Sequence, residues 1–457
     1  MTALGLTLGQ IARVVKGTLY GDASMVMDDV SIDSRETCNG LFIAIVGDRF
    51  DGHDFASVAV SGGAAAVLVH KTIDGLVVPS VRVSDTLAAL QALGMEKRRL
   101  FEGRVAAITG SSGKTTTRRI LTAILATEHN THGPIRNFNN HIGLPLTLLG
   151  LEATHEAAVL ELGCSDFGEI AALTRMADPD VGLVTNVGAA HLEKLGSLDG
   201  VARAKGELFS GMREDTVAVV NMDDPRVASM PIQSKRVVRY GRKTGADVRL
   251  ILREGLGIDG QRLVFSLFGR ELVATLPLLG GHNALNALAA TAAASMMGIP
   301  DTLIVSGLSG VTPEPGRLDP RRAAAGGTVI DDTYNANPNS MRAALVTLGE
   351  SGKDKKTVAV LGDMLELGEQ SAAAHLEIGR AVAHSGIDQL VTLGDQGRLI
   401  GEGAVSAGMS PTMWRHETDH DRAADWLATQ MNEDVVVLVK GSRGMAMEKV
   451  VGPLIKG

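Results

Sequence analysis

The clearest chemistry lies where an apolar run, Val105-Ala-Ala-Ile-Thr, opens into Gly110-Ser111-Ser112-Gly113-Lys114-Thr115-Thr116 and then a helical pattern. Gly110 and Gly113 let the backbone turn tightly and aim its N–H groups inward, and the following helix N-terminus favours negative charge. Lys114 would reach terminal phosphates, and the Thr115 hydroxyl would ligate Mg²⁺. The first glycine of the general Walker pattern would fall at Ile108, so the motif here is the tighter T-G-x-x-G-K-T-T. Such a loop implies a bound ATP but not its use, because switches, kinases, motors and ligases all share it.

Other residues must decide the use. Glu161 closes the run Val159-Leu-Glu, and ligands of open α/β sheets gather at the carboxyl ends of strands. A carboxylate there suits Mg²⁺, a hard oxygen-seeking ion, though it also suits solvent. The run from Val181 ends in Asn186 and leads to His191, either a ligand or a polar support. Lys205 lies in a helical pattern, where a lysine is ordinarily a solvated charge. Asn283 and Asn286 share one face of an Ala-rich helix. Two amides facing a core need partners, which an adenine edge or loop backbone could supply.

The elements that position these residues form three regions. Residues 1–85 hold short strand-like runs (LFIAIV, AAAVLV, SVRV) separated by Gly- and Asp-rich turns. Residues 86–311 alternate strands and helices, the pattern of a parallel sheet covered by helices. Thr312-Pro313-Glu314-Pro315-Gly316 breaks the pattern, and residues 312–457 start a second alternation: TVIDD, TVAVLGD, QLVTLGD, VVVLVKG. The expectation is an α/β protein of three domains, with a central P-loop sheet between an N-terminal α/β domain and a C-terminal Rossmann-like one.

Composition narrows the class. Of 457 residues, 45% are hydrophobic and 21% charged, enough to build several cores and to argue against disorder. With 3% aromatics, those cores must rely on Ala, Val, Leu, Ile and Met. A net charge of −8 opposes a broad nucleic-acid surface. Two cysteines, Cys38 and Cys164, exclude a disulfide framework and fit a reducing compartment. The N-terminus lacks the pattern of a signal peptide, and Ala284–Ile299 is too short and too Ala-rich to span a membrane. A soluble cytoplasmic protein, monomeric and without nucleic-acid or membrane partners, is expected.

Taken in order, these residues resemble the Mur ligase family of peptidoglycan synthesis. The resemblance runs through nearly the whole chain. It rests on Asp33-Ser34-Arg35 and DGHDF from Asp51, TGSSGKTTT, NFNNHIGLPLTLL from Asn137 and LELG. It continues through TNVGAAHLEKLGS from Thr185, AKGELF, GGHNALNALAA and Pro315-Gly316-Arg317. DDTYNANPNSM from Asp331, LGDMLELG from Leu361 and KGSRGMAMEKVV from Lys440 are most similar to the branch that adds D-alanyl-D-alanine. The DNPR-type signature of the diaminopimelate-adding branch is missing, and the DSR and DGHDF strings oppose a folylpolyglutamate synthase. Arg119, where an acid is more usual, and Leu162, where Met is common, depart from the pattern.

The resemblance implies an ATP- and Mg²⁺-dependent ligase that activates a UDP-N-acetylmuramoyl-tripeptide carboxylate as an acyl phosphate and joins it to D-alanyl-D-alanine. It makes Lys114, His191, Lys205 and Arg317 the catalytic set. Lys114 and Thr115 would hold phosphates and a first Mg²⁺, while Glu161 and His191 would hold a second. Lys205 matches a lysine that is carbamylated in close relatives, which turns a repelled cation into an anionic ligand. Asn283 would contact adenine, with Arg317 and Asp332 completing the nucleotide site. Tyr334, Asn335 and Asn337 fall near ribose or dipeptide, and Ser34 and Arg35 near the uridine diphosphate. The Pro313–Pro315 break predicts a hinge that at rest holds Arg317 away from Lys114. A P-loop switch without ligase chemistry would explain GKTT but not Arg317, Asp332 and Lys440.

Overall fold

A computed structural model describes residues 4–36, 39–47, 50–134, 138–188 and 191–455. Cys38, Asn137 and the Ala189–Ala190 pair of the quoted strings lie outside the described residues. The chain forms three α/β units in sequence order, each on its own sheet, with a small two-stranded pairing of Leu6–Thr7 and Val26–Met27 beside the first.

The first sheet orders its strands Thr18–Tyr20, Ser80–Arg82, Ala66–Val69, Leu41–Ile43 and Val30–Ser31, all parallel except the Thr18–Tyr20 edge. The helix Thr86–Leu100 starts at Asp85, whose carboxylate accepts from Leu87 and Ala88 N–H. Such a cap is worth about 1 kcal/mol. Its apolar face adds Ala89, Leu90 and Leu93 to the first core, where they meet Leu8, Ile11 and Leu41. Its other face carries Gly94, which lies against Pro145 of the helix Gly143–Leu149 in the middle unit.

Among the described residues the middle sheet has nine strands. The P-loop strand Arg104–Thr109 runs parallel between Ala157–Glu161 and Val181–Val184, with Ile108 opposite Glu161 and Thr109 opposite Val184. This register carries Glu161 and the residues after Val184 to the mouth of the P-loop. Alternation in the P-loop strand feeds two cores: Ala106 and Ile108 pack with Ile120, Leu183 and Ala287, while Val105 and Ala107 pack with Leu144, Leu160 and Ile170. The Ala-rich helix Gly281–Met296 is buried against the P-loop helix Lys114–Leu125; its small side chains allow the close approach. Beyond Arg236–Gly241 the sheet ends in an antiparallel meander, Val248–Gly255, Gln261–Leu267 and Arg270–Leu276.

The third sheet runs Asp319–Arg322, Thr328–Asp332, Val435–Lys440, Lys356–Leu361, Gln389–Leu393 and Trp414–Glu417, parallel except for its first strand. Asp332 and Lys440 end adjacent strands in register. No helix among the described residues is long and apolar enough to cross a membrane.

Replacing Gly94 with Ala would place a Cβ 2.8 Å from the Pro145 backbone, and neither helix can yield locally. Overpacking of this kind costs about 1–3 kcal/mol. Gly94→Ala should therefore lower the urea midpoint of the intact chain; an unchanged midpoint would show that this helix contact does not hold the first unit in place.

Candidate active site

The P-loop is built by its neighbours. Gly110 has φ 148° and Gly113 has φ 78°, both in the region that favours glycine. A side chain at Gly110 would overlap Thr185 Oγ1, and one at Gly113 would meet Asn286 Oδ1 at 2.6 Å. The loop is tied to the segment after Val184. Ser111 N–H donates to Asn186 O at 3.0 Å, and Ser112 N–H to Asn186 Oδ1 at 3.0 Å. Thr185 Oγ1 donates to Ser112 O at 2.6 Å, and Ser111 Oγ is bonded to both N–H and O of Gly188. These bonds fix the shape of the loop.

Charged groups converge on this cradle. Lys114 Nζ donates to Gly110 O at 2.8 Å. Thr115 Oγ1 donates to Glu161 Oε2 at 3.0 Å, and Asn139 Nδ2 to Glu161 Oε1 at 3.0 Å. Glu161 is buried, and the half-buried Arg118 has its Nε 3.8 Å from Glu161 Oε2. Desolvation holds the Lys114 ammonium below the usual lysine range, against the pull of Glu161 and with a push from Arg317. Lys205 is 2% exposed and 3.7 Å from Cys164 Sγ. Burial, then the Lys114 charge, brings its pKa down to about 8. Partial desolvation followed by the charges of Lys205 and Lys114 lowers the pKa of His191, a residue with φ 53°. Among the described residues no three His, Cys, Asp or Glu side chains cluster into a metal cage.

A cavity beside the cradle is lined by Thr116, Arg119, Leu278, Asn283, Val311, Thr312, Glu314 and Arg317, and so joins the middle unit to the residues beyond the break. Arg317 stacks on Tyr334, 4.1 Å from guanidinium carbon to ring centroid. The Asp332 carboxylate is held by Leu318 N–H at 3.1 Å and Lys440 Nζ at 2.7 Å, and Lys440 also donates to Asn335 O at 2.8 Å.

Residues 108–294 match the Mur ligase middle domain, and residues 316–443 match the Mur ligase glutamate ligase domain. A Bacillus subtilis (strain 168) protein named UDP-N-acetylmuramoyl-tripeptide–D-alanyl-D-alanine ligase is 38% identical over 458 residues, covering 98% of each chain. The chain belongs to the Mur ligase family. Among solved structures, MurF from Acinetobacter baumannii superposes with a TM-score of 0.90 at 32% identity, covering 99% of both chains. MurF ligase from Thermotoga maritima, in complex with ADP, gives 0.83 at 30% identity, covering 93% of this chain and 96% of that one.

In this Mur ligase the sequence-derived candidates fall into distinct groups. Gly110, Ser111, Ser112, Gly113, Lys114, Thr115 and Glu161 meet at one mouth. Thr116, Asn283 and Arg317 share the adjoining cavity. Asn283 Nδ2 donates to Leu279 O at 2.7 Å and its Oδ1 accepts from Asn286 at 2.9 Å, so loop backbone and the second amide are its partners. Asn335 Oδ1 accepts from Ala336 N–H, and Asn337 caps the helix Pro338–Ser351 through Ser340 N–H at 2.9 Å. Arg35 stands far out in solvent, held by Asp33 at 2.9 and 2.6 Å beside Ser34 in the first unit.

The expected resting position of the hinge is corrected. Arg317 lines the same cavity as Thr116 and acts electrostatically on Lys114. Two latches explain this. Arg119 donates to Thr312 O at 2.9 Å and Pro313 O at 3.3 Å, fixing the break to the P-loop helix. Arg253 grips both oxygens of Glu350 at 2.9 and 2.5 Å, across to the helix Pro338–Ser351. Sequence reading set Arg119 aside as a departure. It also missed Thr185 and Asn186 as loop tethers, although both stand at the end of a strand-like run, where such groups are expected.

Lys114→Ala removes the amine that serves the cradle and leaves the tethers in place. Turnover should fall by about 10²-fold or more, as when other donors to transition-state charge are deleted. Near-normal turnover with an unchanged melting curve would remove Lys114 from the chemistry.

Proposed function

We propose that this chain joins D-alanyl-D-alanine to UDP-N-acetylmuramoyl-tripeptide at the expense of ATP, giving the pentapeptide, ADP and phosphate, in the cytoplasm. The carrying observation is that Arg317, from beyond the 312–316 break, shares a cavity with Thr116 of the P-loop helix and lies near enough to Lys114 to act on its charge, in a chain similar along its length to ligases of that name. A division into three units, expected at 1–85, 86–311 and 312–457 but with the helix Thr86–Leu100 lending its apolar face to the first core, fits this role, since the activated carboxylate is made between units rather than within one.

A carboxylate resists amines because attack must expel oxide. One carboxylate oxygen attacks the γ-phosphorus and ADP leaves; the resulting acyl phosphate has phosphate as its leaving group. The dipeptide amine then adds to the acyl carbon, the C–O bond to phosphate breaks, and the amine gives up a proton. A free α-amino group has a pKa of about 7.7–8.0, so roughly a tenth is neutral near pH 7 and no strong base is required. Positioning and charge neutralisation dominate phosphoryl transfer. The P-loop turn at Gly113 and the start of its helix receive the phosphates, the N–H groups of Ser111 and Ser112 being spent on Asn186, while Lys114 follows the charge on the transferred group and Arg317 approaches from beyond the break. Asn283 and Asp332 shape the nucleotide pocket, Asn283 directly and Asp332 by holding Lys440 and the backbone that carries Arg317. Ser34 and Arg35 take the uridine diphosphate, and Tyr334, Asn335 and Asn337 frame the acceptor side.

The donors fit Mg²⁺: the Thr115 hydroxyl and the buried Glu161 carboxylate are hard oxygen ligands 3.0 Å apart. Thr115 would hold a first Mg²⁺, and Glu161, His191 and a carbamylated Lys205 a second; when bound, such ions would neutralise charge on the phosphoryl oxygens. Carbamylation adds carbon dioxide to a neutral amine with loss of a proton. Lys205, with a pKa near 8, keeps a share of neutral amine at neutral pH.

Phosphate release from ATP should require the nucleotide-sugar tripeptide and D-alanyl-D-alanine together. Release that ignores either one would refute the assignment. Lys205→Ala should lose most activity and regain part of it with short carboxylic acids, and carbon-dioxide-depleted buffer should slow the wild type. Full activity of Lys205→Ala would dispose of the carbamate.

A further inference from the structure

At the carboxyl end of the third sheet, three loops meet around one residue. Ser442 N–H donates to Asp363 O at 3.0 Å, Ser442 Oγ donates to Ala336 O at 3.3 Å, and Leu365 N–H donates to Ser442 Oγ at 2.9 Å. The next residue, Arg443, opens a short 3₁₀ turn, so its backbone is fixed while its side chain is two-thirds exposed, at 66%. Its partner, Glu448, lies at 3.4 Å and is itself 46% exposed. Such a surface pair contributes little and exchanges readily for another carboxylate.

The Tyr334 ring bridges Arg443 to the nucleotide cavity. Arg317 stacks 4.1 Å from its centroid and Arg443 lies 6.0 Å from it, so the two guanidinium carbons are within about 10 Å of each other. The acceptor's amine must reach an acyl carbon bonded to the transferred phosphate, on the Arg317 side. Two residues of extended chain span about 7 Å, which puts a dipeptide's far carboxylate within reach of Arg443. Two neighbouring cations are committed: Lys440 is buried on Asp332, and Arg317 is stacked on Tyr334 and lines the cavity beside the P-loop helix. Leu365, 46% exposed, lies against Gly444, where a Cβ would come within 2.8 Å of Leu365 Cδ1. An exposed apolar side chain beside an exposed guanidinium matches a small acceptor with methyl side chains and one terminal anion.

We propose that Arg443 is the specificity-determining residue that reads the acceptor's terminal carboxylate, with Leu365 as the apolar surface beside it. This rests on D-alanyl-D-alanine being the acceptor. Steady-state kinetics of the full chain would compare D-alanyl-D-alanine with its C-terminal amide, in wild type, Arg443→Gln and Arg443→Lys. Loss of a charge-assisted hydrogen bond predicts a KM about 10- to 100-fold higher for the amide in wild type. Arg443→Gln should raise KM for the acid by a similar factor, erase the preference and leave KM for ATP unmoved; Arg443→Lys should restore part of it. A wild type that takes acid and amide alike would overturn the proposal, as would a Gln variant that keeps the preference. Should Arg443→Gln fail to fold, the wild-type comparison and the Lys variant still decide. No turnover of either dipeptide by wild type would instead refute the ligase reading.

Discussion

Desolvation of Lys114, Arg118 and Lys205 around one loop is the constraint on which the site is organised. Glu161 draws Lys114 and Arg118 back toward their charged forms more than Arg317 pushes them away, whereas Lys205 has Lys114 as its main charged neighbour. Cations held partly out of water stabilise an anion that arrives between them more than a solvated lysine could. The fold supplies the rigidity this requires. Thr185, Asn186 and Gly188 bind the loop from one side, while Asn286 fills the space under Gly113 from the other. Lys205 is exposed to the same field, and its lowered pKa follows from burial beside Lys114.

The second constraint is that half of the site belongs to another unit. Arg317 reaches the cavity because its backbone is fixed by Asp332, whose carboxylate bonds Leu318 N–H and is paired in turn with Lys440. The Arg119 and Arg253 contacts set the angle between units. Neither is a large apolar seal. Both are polar contacts at least partly open to solvent, the kind that can be exchanged when units move. A ligase gains from such an arrangement, since the acyl phosphate must be shielded from water and its products must then leave.

Much of this was legible in the chain. An apolar run that ends in one polar residue marked Glu161 as a strand end, and the glycine spacing marked the P-loop, while Asp332 entered only through the family resemblance. The meander from Val248 to Leu276 was passed over because its strands alternate buried and exposed residues instead of forming continuous apolar runs. Tethers such as Asn186 to Ser112 join residues 74 positions apart, and nothing local in the sequence signals that pairing. Asn337 carries a local signal as well. The string Asn337-Pro338-Asn339-Ser340 carries the start of a capped helix, and its cap geometry is what the structure displays.

Activation of the carboxylate by the γ-phosphoryl group of ATP is the central claim, and an isotope label tests it directly. Ligation would be run with ¹⁸O in both oxygens of the tripeptide's terminal carboxylate, and the products analysed by mass spectrometry. An acyl phosphate predicts one ¹⁸O in the released inorganic phosphate and the other in the new amide carbonyl. Label in AMP, or phosphate free of label, would contradict the account.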